Sequence, residues 1–197
     1  MASQTLSNEE LKKKASEEID SRADEIVAIA KAILKTPEPG FREIKTAQLV
    51  AGKLAELGIP FRAGLAVTGV RADLIGGTAG PALAILGELD SLIVNQHPDA
   101  DPVTGAAHAC GHHCQIAMMF GALYALNQTD VLSALSGRLI FIAVPAEEYI
   151  EIEYRDGLRR DGKIEFLGGK PELINVGEFD DINLAMMLHT TSNPAEK

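Results

Sequence analysis

The sequence predicts an α/β fold in which helices are layered on a largely parallel, mixed sheet. Short apolar runs recur along the chain, at residues 70–75, 82–86, 138–144 and 183–188. From the second run onwards they lack polar alternation, as expected of strands that are buried on both faces. Segments with helical periodicity lie between these runs, and strands that alternate with helices are typical of a layered α/β domain.

The chain is predicted to open with two helices. Ser7 followed by Glu10 has the form of a capping box, and apolar residues at helical spacing continue from there. This pattern predicts one long helix that ends before Pro37, and then a turn. A second amphipathic helix is predicted over residues 47–57, closed by Gly58.

The glycine-rich segment 76–80 separates the first two apolar runs. Its position predicts a tight turn, with residues 70–75 and 82–86 paired as a hairpin. The segment has neither a Walker lysine nor the spacing of a dinucleotide-binding loop, so we do not interpret it as a phosphate site.

The second half of the chain contains two further predicted helices. One covers residues 110–126, after a polar loop at 91–105, and a weaker one covers 171–176. Between the third strand and the weaker helix, residues 149–169 carry many charges and several glycines. We expect this segment to be an exposed excursion close to the functional site.

Length, charge and cysteine content narrow the class of protein. The 197 residues are 46% hydrophobic, enough for one domain with a substantial core, and the net charge of −10 disfavours binding to nucleic acid or to an anionic membrane surface. No apolar run resembles a secretory signal or a membrane span, so we expect a cytoplasmic protein. Two cysteines, Cys110 and Cys114, are too few for a disulfide framework, and their placement favours reactivity or metal binding.

Polar residues follow the predicted strands where an open α/β sheet places its ligands. They are Asp90, Cys110, His112, Glu147, Glu148 and His189. Thiolate, imidazole and carboxylate together suit zinc or another divalent first-row metal. Two adjacent glutamates can divide the chemistry, because one binds the metal while its neighbour accepts a proton.

Each of these features also has an ordinary structural interpretation. Cys110 and Cys114 lie one helical turn apart and could be small buried apolar residues. His113 could be a surface histidine or could support the metal ligands from behind. A Glu-Glu pair alone is most often a solvated surface pair. The joint placement of these residues at strand ends is what favours a metal site.

Five segments resemble the metal-dependent amidohydrolases that include aminoacylases, carboxypeptidase G, indole-acetyl-amino-acid hydrolases and p-aminobenzoyl-glutamate hydrolases. They are residues 37–46, 87–92, 108–112, 145–148 and 168–189. The sequence His-Ala-Cys-Gly-His at 108–112 is the most specific of them, and Pro-Ala-Glu-Glu at 145–148 is the next. The resemblance implies the α/β/α catalytic domain of this family.

The resemblance also implies the roles of the site residues. The metal ligands would be Cys110, His112, Glu148 and His189. Glu147 would be the general base, and Asp90 and His113 are candidates to support the ligands from behind. Two divalent ions, zinc or manganese, would assist hydrolysis of the amide bond in an N-acyl or N-aroyl amino acid or a small peptide-like substrate. The full-length form would be a homodimer.

Two departures from the family pattern carry expectations of their own. The family continues Gly-His-Asp-x-His, whereas residues 111–115 read Gly-His-His-Cys-Gln, which indicates a divergent subgroup. Family members are also about twice as long, with a lid and dimerisation domain and a final histidine ligand after the position of His189. Residues 1–197 are therefore expected to be an N-terminal portion of the catalytic domain, which binds one metal ion or none and is weak or inactive alone.

Two other hypotheses compete with the enzyme. In the first, the chain is a non-catalytic metal-binding or interaction module that retains the hydrolase scaffold. In the second, Cys110, Cys114 and a histidine form a structural zinc site. The two kinds of metal site differ in their use of Cys114, and substitution of that residue separates them.

Overall fold

A computed structural model describes residues 6–191 and 193 of the chain. The helices are α1 (Asn8–Ser21), α2 (Ala23–Leu34), α3 (Ile44–Glu56), α4 (His112–Leu126), α5 (Thr129–Ala134), α6 (Ile152–Arg160) and α7 (Gly169–Asn175). The strands are β1 (Phe61–Leu65), β2 (Gly69–Ile75), β3 (Thr78–Glu88), β4 (Leu92–Ile93), β5 (Ala106–Ala107), β6 (Ser136–Val144) and β7 (Leu184–Met187). The predicted α/β class is confirmed.

Five strands form the main sheet in the order β1-β2-β6-β3-β7. Strand β6 pairs with β2 in antiparallel fashion and with β3 in parallel, and β7 is parallel to β3. The predicted hairpin between residues 70–75 and 82–86 is wrong, because β6 lies between the two strands. Both strands are apolar and need a partner that can be buried, and β6 gives each of them one.

The core alternates between the two faces of the sheet along β6. Leu139, Phe141 and Ala143 pack in the cluster that contains α2, α3 and α4, whereas Ile140, Ile142 and Val144 pack on the opposite face. Leu173 of α7 covers this second face. Strand β6 is therefore buried on both sides, which explains why its sequence lacks polar alternation.

The predicted first helix is two helices. The capping box is present, with Ser7 Oγ 3.3 Å from the amide of Glu10 and the Glu10 carboxylate 2.8 Å from the amide of Ser7. The helix breaks at Arg22, where φ is −105° and ψ is 13°. After the break α2 buries Ile29 and Ile33, while α1 buries none of its residues. Because the chain changes direction at Arg22, the more apolar helix α2 packs against the core.

The segment 149–169 is only partly the exposed excursion that its charges predict. It contains α6, and Arg155 within that helix is fully buried. Leu158 and Ile164 pack with Ala146 in a small apolar cluster beside the end of β6. The prediction failed because this segment has its own small core, and charge density alone does not indicate which charged residue is turned inward.

Strand β7 lies at one lateral edge of the main sheet. Strand β7 was predicted from its apolar run, and the structure confirms the strand, but Leu184 and Met186 are exposed.

Strand β1 and helix α5 were not predicted. None of the helices among the described residues is long and apolar enough to cross a membrane.

Candidate metal centre

Parallel pairing brings the predicted site residues to one edge of the sheet. Strands β3 and β6 end side by side, with Glu88 opposite Val144 in the register. Asp90 follows β3, Glu147 follows β6, and α4 begins at His112 in the space between them. This is the edge at which open α/β sheets bind ligands.

His112 is at the centre of the cluster and is 1% exposed. Its Nε2 lies 3.0 Å from Glu88 Oε2, 3.7 Å from Glu147 Oε2 and 3.9 Å from Glu148 Oε1. Its Nδ1 lies 2.8 Å from the main-chain oxygen of Asp90. Because a carbonyl oxygen only accepts, Nδ1 carries a proton and donates it, which leaves Nε2 facing the carboxylates.

A second histidine is oriented in the same way. His189 Nδ1 lies 2.6 Å from the carbonyl oxygen of Thr190, and its Nε2 lies 3.4 Å from Cys110 Sγ. The donor atoms of Cys110, His112 and His189 all lie within 4.8 Å of one another. Metal-binding histidines usually donate one ring N–H to a carbonyl or carboxylate and present the other nitrogen to the metal. Both rings have this arrangement.

Glu88 joins the cluster although the sequence did not point to it. It is 1% exposed, and Glu88, His112 and Glu147 form a second group of donors within 4.8 Å of one another. Gln115 Nε2 lies 3.0 Å from Glu88 Oε2, and the Lys170 ammonium group contacts Glu88 Oε1. An acidic residue at the end of an apolar strand was an available signal for Glu88, whereas nothing in the sequence singled out Lys170.

Opposite charges within the cluster stabilise one another. Burial alone would raise the pKa of Glu88, but His112 and Lys170 outweigh it and lower that pKa to about 2. Burial lowers the pKa of His112, yet the carboxylates of Asp90 and Glu88 raise it to about 11. Burial and repulsion from Glu88 raise the pKa of Glu147. The positive charges of His112 and Lys170 therefore stabilise the buried carboxylates of this cluster.

The donor set fits a divalent metal ion. His112 Nε2 is buried among carboxylates, and its 3.0 Å approach to Glu88 Oε2 does not have the geometry of a hydrogen bond. A thiol, two imidazoles and carboxylates are the ligand types that zinc takes in proteins. Burial, and then the Glu148 carboxylate, raise the pKa of the Cys110 thiol, so metal binding there would release a proton.

Asp90 links two of the proposed ligands. It is fully buried, its Oδ2 accepts a hydrogen bond from the amide of Glu148 at 2.9 Å, and its Oδ1 lies 3.3 Å from His112 Nδ1. Asp90 therefore orients the histidine through its main-chain oxygen, and its carboxylate holds the main chain that carries Glu148. The supporting role that the family resemblance implies for Asp90 stays a prediction.

His113 and Cys114 lie outside both donor groups. The His113 ring is 5.4 Å from the ring of His108, a buried histidine with no hydrogen-bond partner in the described part of the chain. Neither group of three donors found in residues 6–191 and 193 includes Cys114. The geometry therefore gives no support to a structural zinc site that uses Cys114.

A buried glutamate near the start of α3 supports the turn that carries the two adjacent glutamates. Glu43 is 0% exposed, accepts a hydrogen bond from the amide of Ala146 at 2.7 Å, and accepts another from the Thr68 hydroxyl at 2.6 Å. Burial, with a further contribution from Asp90, raises the pKa of Glu43 to about 7. The sequence did not predict a role for Glu43, because its partners are remote along the chain.

The raised pKa of Glu43 predicts a pH-dependent stability. The ordinary pKa of 4.5 applies to the unfolded chain, which loses the proton first as pH rises, so the free energy of unfolding falls until pH passes about 7. The free energy of unfolding of Glu43→Gln, compared with that of the unsubstituted chain, should rise by about 2 kcal/mol between pH 5 and pH 8, because the substituted side chain has no proton to lose. Urea unfolding with EDTA at both pH values measures this. The exposed substitution Glu17→Gln is the control, and a pH-independent difference for Glu43→Gln contradicts the expectation.

Comparison with known proteins identifies the family. The sequence model of peptidase family M20/M25/M40 matches residues 84–190, which include the donor groups just described. The chain belongs to this family. The resemblance to metal-dependent amidohydrolases that the sequence motifs suggested is confirmed.

The relatives are named peptidases and amidohydrolases. The chain is 30% identical over 188 residues to thermostable carboxypeptidase 2 of Saccharolobus solfataricus, covering 93% of this chain and 44% of the relative. It is 27% identical over 175 residues to IAA-amino acid hydrolase ILR1-like 4 of Arabidopsis thaliana, covering 87% of this chain and 35% of the relative. The chain thus spans less than half the length of these two proteins.

Solved structures share the fold. The Bacillus subtilis YXEP protein, described as a dinuclear metal-binding peptidase of the M20 family, matches with a TM-score of 0.71 at 25% identity, over 88% of this chain and 45% of that one. The aminobenzoyl-glutamate utilization protein of Klebsiella pneumoniae matches with a TM-score of 0.61 at 18% identity, over 90% and 46%. The second likeness shows the fold alone.

Proposed function

We propose that the chain carries the metal-binding core of an enzyme that hydrolyses the amide bond of N-acyl or N-aroyl amino acids or small peptide-like substrates. The observation that carries the proposal is the convergence on His112 Nε2 of three carboxylates from two strand ends, with the Cys110 and His189 donors close by. The names of the relatives support amide hydrolysis as the reaction.

In this proposal the side chains divide into ligands and a base. The proposed ligands are Cys110, His112 and His189, which form one donor group, and Glu148, whose Oε1 lies 3.9 Å from His112 Nε2 but outside both donor groups. Glu88 and Glu147 form the second donor group with His112. Bound divalent metal supplies Lewis-acid polarisation of the amide carbonyl. Zinc or manganese is the proposed metal, and two ions are proposed for the full-length enzyme, as in the dinuclear YXEP protein. One ion or none is expected for this chain, and we propose that it binds one.

Glu147 is the proposed general base. Its side chain is 35% exposed, so a substrate can reach it, and burial together with repulsion from Glu88 raises its pKa, which strengthens the carboxylate as a base. It lines a cavity of about 190 Å³ together with Tyr149 and Lys170. The carboxyl group would take a proton from the attacking water and deliver it to the leaving amine.

Three further proposals follow from composition and family. The full-length form is proposed to be a homodimer and to work in the cytoplasm. The substrate is proposed to be a small molecule, and a net charge of −10 disfavours nucleic acid as a partner. Weak or absent turnover by this chain alone stays a prediction.

The proposal is tested by metal content and hydrolysis. Protein purified without chelator is analysed for metal, then incubated with Zn²⁺ or Mn²⁺ and a panel of N-acetyl and N-benzoyl amino acids. We expect at most one bound ion and slow hydrolysis that EDTA and Glu147→Gln abolish. Hydrolysis that survives both treatments would contradict the proposal, and robust turnover by this chain would refute the expectation that it is weak or inactive alone.

Two substitutions distinguish the proposed centre from a structural zinc site. Cys114→Ser is expected to leave metal content unchanged, because Cys114 lies outside both donor groups in the described residues. Glu148→Ala is expected to lower metal content, because its carboxylate is 3.9 Å from His112 Nε2. Elemental analysis of the two purified variants checks this. The reverse outcome would establish the structural site.

A further inference from the structure

We propose that Arg155 is a positioning residue for the metal centre, which holds in place the turn that carries Glu147 and Glu148. This inference rests on the proposed function, because it gives Glu148 the role of a metal ligand. It concerns a residue of the charged segment 149–169, in which the sequence motifs marked no functional residue.

Arg155 donates hydrogen bonds to the main chain of the turn that carries Glu147 and Glu148. It is 0% exposed and the largest of the fully buried side chains. Its Nη2 donates to the carbonyl oxygen of Glu148, and its Nη1 donates to the carbonyl oxygens of Leu167 at 2.8 Å and Ala146 at 3.4 Å. A Cβ atom at Gly40 would overlap Nη2, so the absence of a side chain at Gly40 lets the guanidinium group approach.

The turn depends on side chains from elsewhere in the fold. Ala146 has a φ of 48°, in the left-handed region that residues other than glycine rarely adopt. Glu43 accepts from the amide of Ala146 at 2.7 Å and Asp90 accepts from the amide of Glu148 at 2.9 Å, while Arg155 binds the carbonyl oxygens of both residues. Three charged side chains therefore fix the main chain on each side of Glu147.

The burial of this arginine argues that the hydrogen bonds matter. No carboxylate among the described residues lies within ion-pair distance of its guanidinium group, so no direct ion pair offsets the loss of water. Burial lowers the pKa of Arg155, and the negative charges of Asp90 and Glu43 offset part of this effect. An apolar residue could fill the space, but only the planar fork of five N–H donors reaches carbonyl oxygens of both Ala146 and Glu148.

A purely structural role makes a different prediction. Arg155 also binds the carbonyl oxygen of Leu167, and it lies 5.5 Å from the ring of Phe41, so it could serve only to dock α6. In that case its replacement would lower thermal stability without a specific effect on the Glu148 carboxylate. If it acts through Glu148, its effect on metal affinity depends on that carboxylate.

The test is a double-mutant cycle on Zn²⁺ affinity. Arg155→Gln, Glu148→Ala and the double variant of the 197-residue chain are titrated with Zn²⁺ against a chromophoric chelator, and circular dichroism gives their thermal midpoints. Arg159→Gln is the matched control, since Arg159 lies on the same helix, is 51% exposed and pairs with Asp156. Arg155→Lys keeps the positive charge and tests whether a conservative substitution restores Zn²⁺ binding. If Arg155→Gln does not fold, Arg155→Lys replaces it throughout the cycle.

We expect Arg155→Gln to weaken Zn²⁺ binding about 10- to 100-fold, the usual effect of losing a residue that supports a ligand. Arg155→Lys should recover part of this loss, Arg159→Gln should bind like the original chain, and the double variant should bind no more weakly than Glu148→Ala. An Arg155→Gln variant with a lower midpoint but unchanged affinity would overturn the proposal, and so would losses that multiply in the double variant.

Failure of the proposed function has a separate signature. If the original chain does not bind Zn²⁺, or if Glu148→Ala leaves the affinity unchanged, the ligand assignment fails and the role of Arg155 falls with it. If Glu148→Ala weakens binding but Arg155→Gln does not, only the inference about Arg155 is rejected.

Discussion

His112→Ala is expected to lower the affinity of the chain for Zn²⁺ by more than about 100-fold. Loss of a residue that merely supports a ligand costs about 10- to 100-fold, so loss of the central ligand should cost more. His112 Nε2 lies 3.0 Å from Glu88, 3.7 Å from Glu147 and 3.9 Å from Glu148, and His112 is the residue that belongs to both donor groups. Competition titration with a chromophoric chelator measures the change.

The neighbouring histidine provides the control. His113 lies next to His112 on α4, yet its ring is 5.4 Å from that of His108 and it belongs to neither donor group. The loss of Zn²⁺ affinity in His113→Ala should therefore be at least ten times smaller than the loss in His112→Ala. Equal effects of the two substitutions would show that the metal binds elsewhere.

Phe120→Ala is expected to cost about 3–5 kcal/mol of unfolding free energy. Phe120 is fully buried in α4, within the cluster that joins this helix to the sheet. Truncation removes apolar contacts and leaves a cavity that the surrounding side chains fill only in part. Because α4 also carries His112 at its first turn, we expect Zn²⁺ to recover some of the lost stability.

Urea unfolding with and without Zn²⁺ checks this expectation. Phe166→Ala is the matched control, since Phe166 is 47% exposed and should lose far less stability than Phe120. A loss of less than about 1 kcal/mol at Phe120 would mean that α4 does not pack as the structure shows it.

The fold class was predictable because burial leaves a direct trace in the sequence. Strand β6 alternates between two apolar faces, so its run of apolar residues identified it. The order of the strands was not predictable in the same way. Residues 76–80 indicate a turn, but whether β2 and β3 pair with each other or with β6 is decided by contacts remote along the chain.

The candidate site was predictable to the extent that its residues form compact motifs. The segments at 108–112 and 145–148 stand out, and the structure brings their cysteine, histidine and glutamate side chains together. Their roles as ligands and base remain predictions. Glu43 and Arg155 were missed, because each contacts the main chain of the turn at 146–148 rather than the side chains of the site, and Glu43 is also remote from that turn along the chain. No local pattern distinguishes them from solvated charges.

The central claim is that Cys110, His112, Glu148 and His189 bind one metal ion, and X-ray absorption at the zinc edge tests it most directly. For the Zn²⁺-loaded chain we predict one sulfur at about 2.3 Å and the remaining ligands as nitrogen or oxygen at about 2.0–2.2 Å. The sulfur contribution should disappear in Cys110→Ser and persist in Cys114→Ser. Two sulfur ligands, or a single sulfur that disappears in Cys114→Ser instead, would contradict the proposed centre.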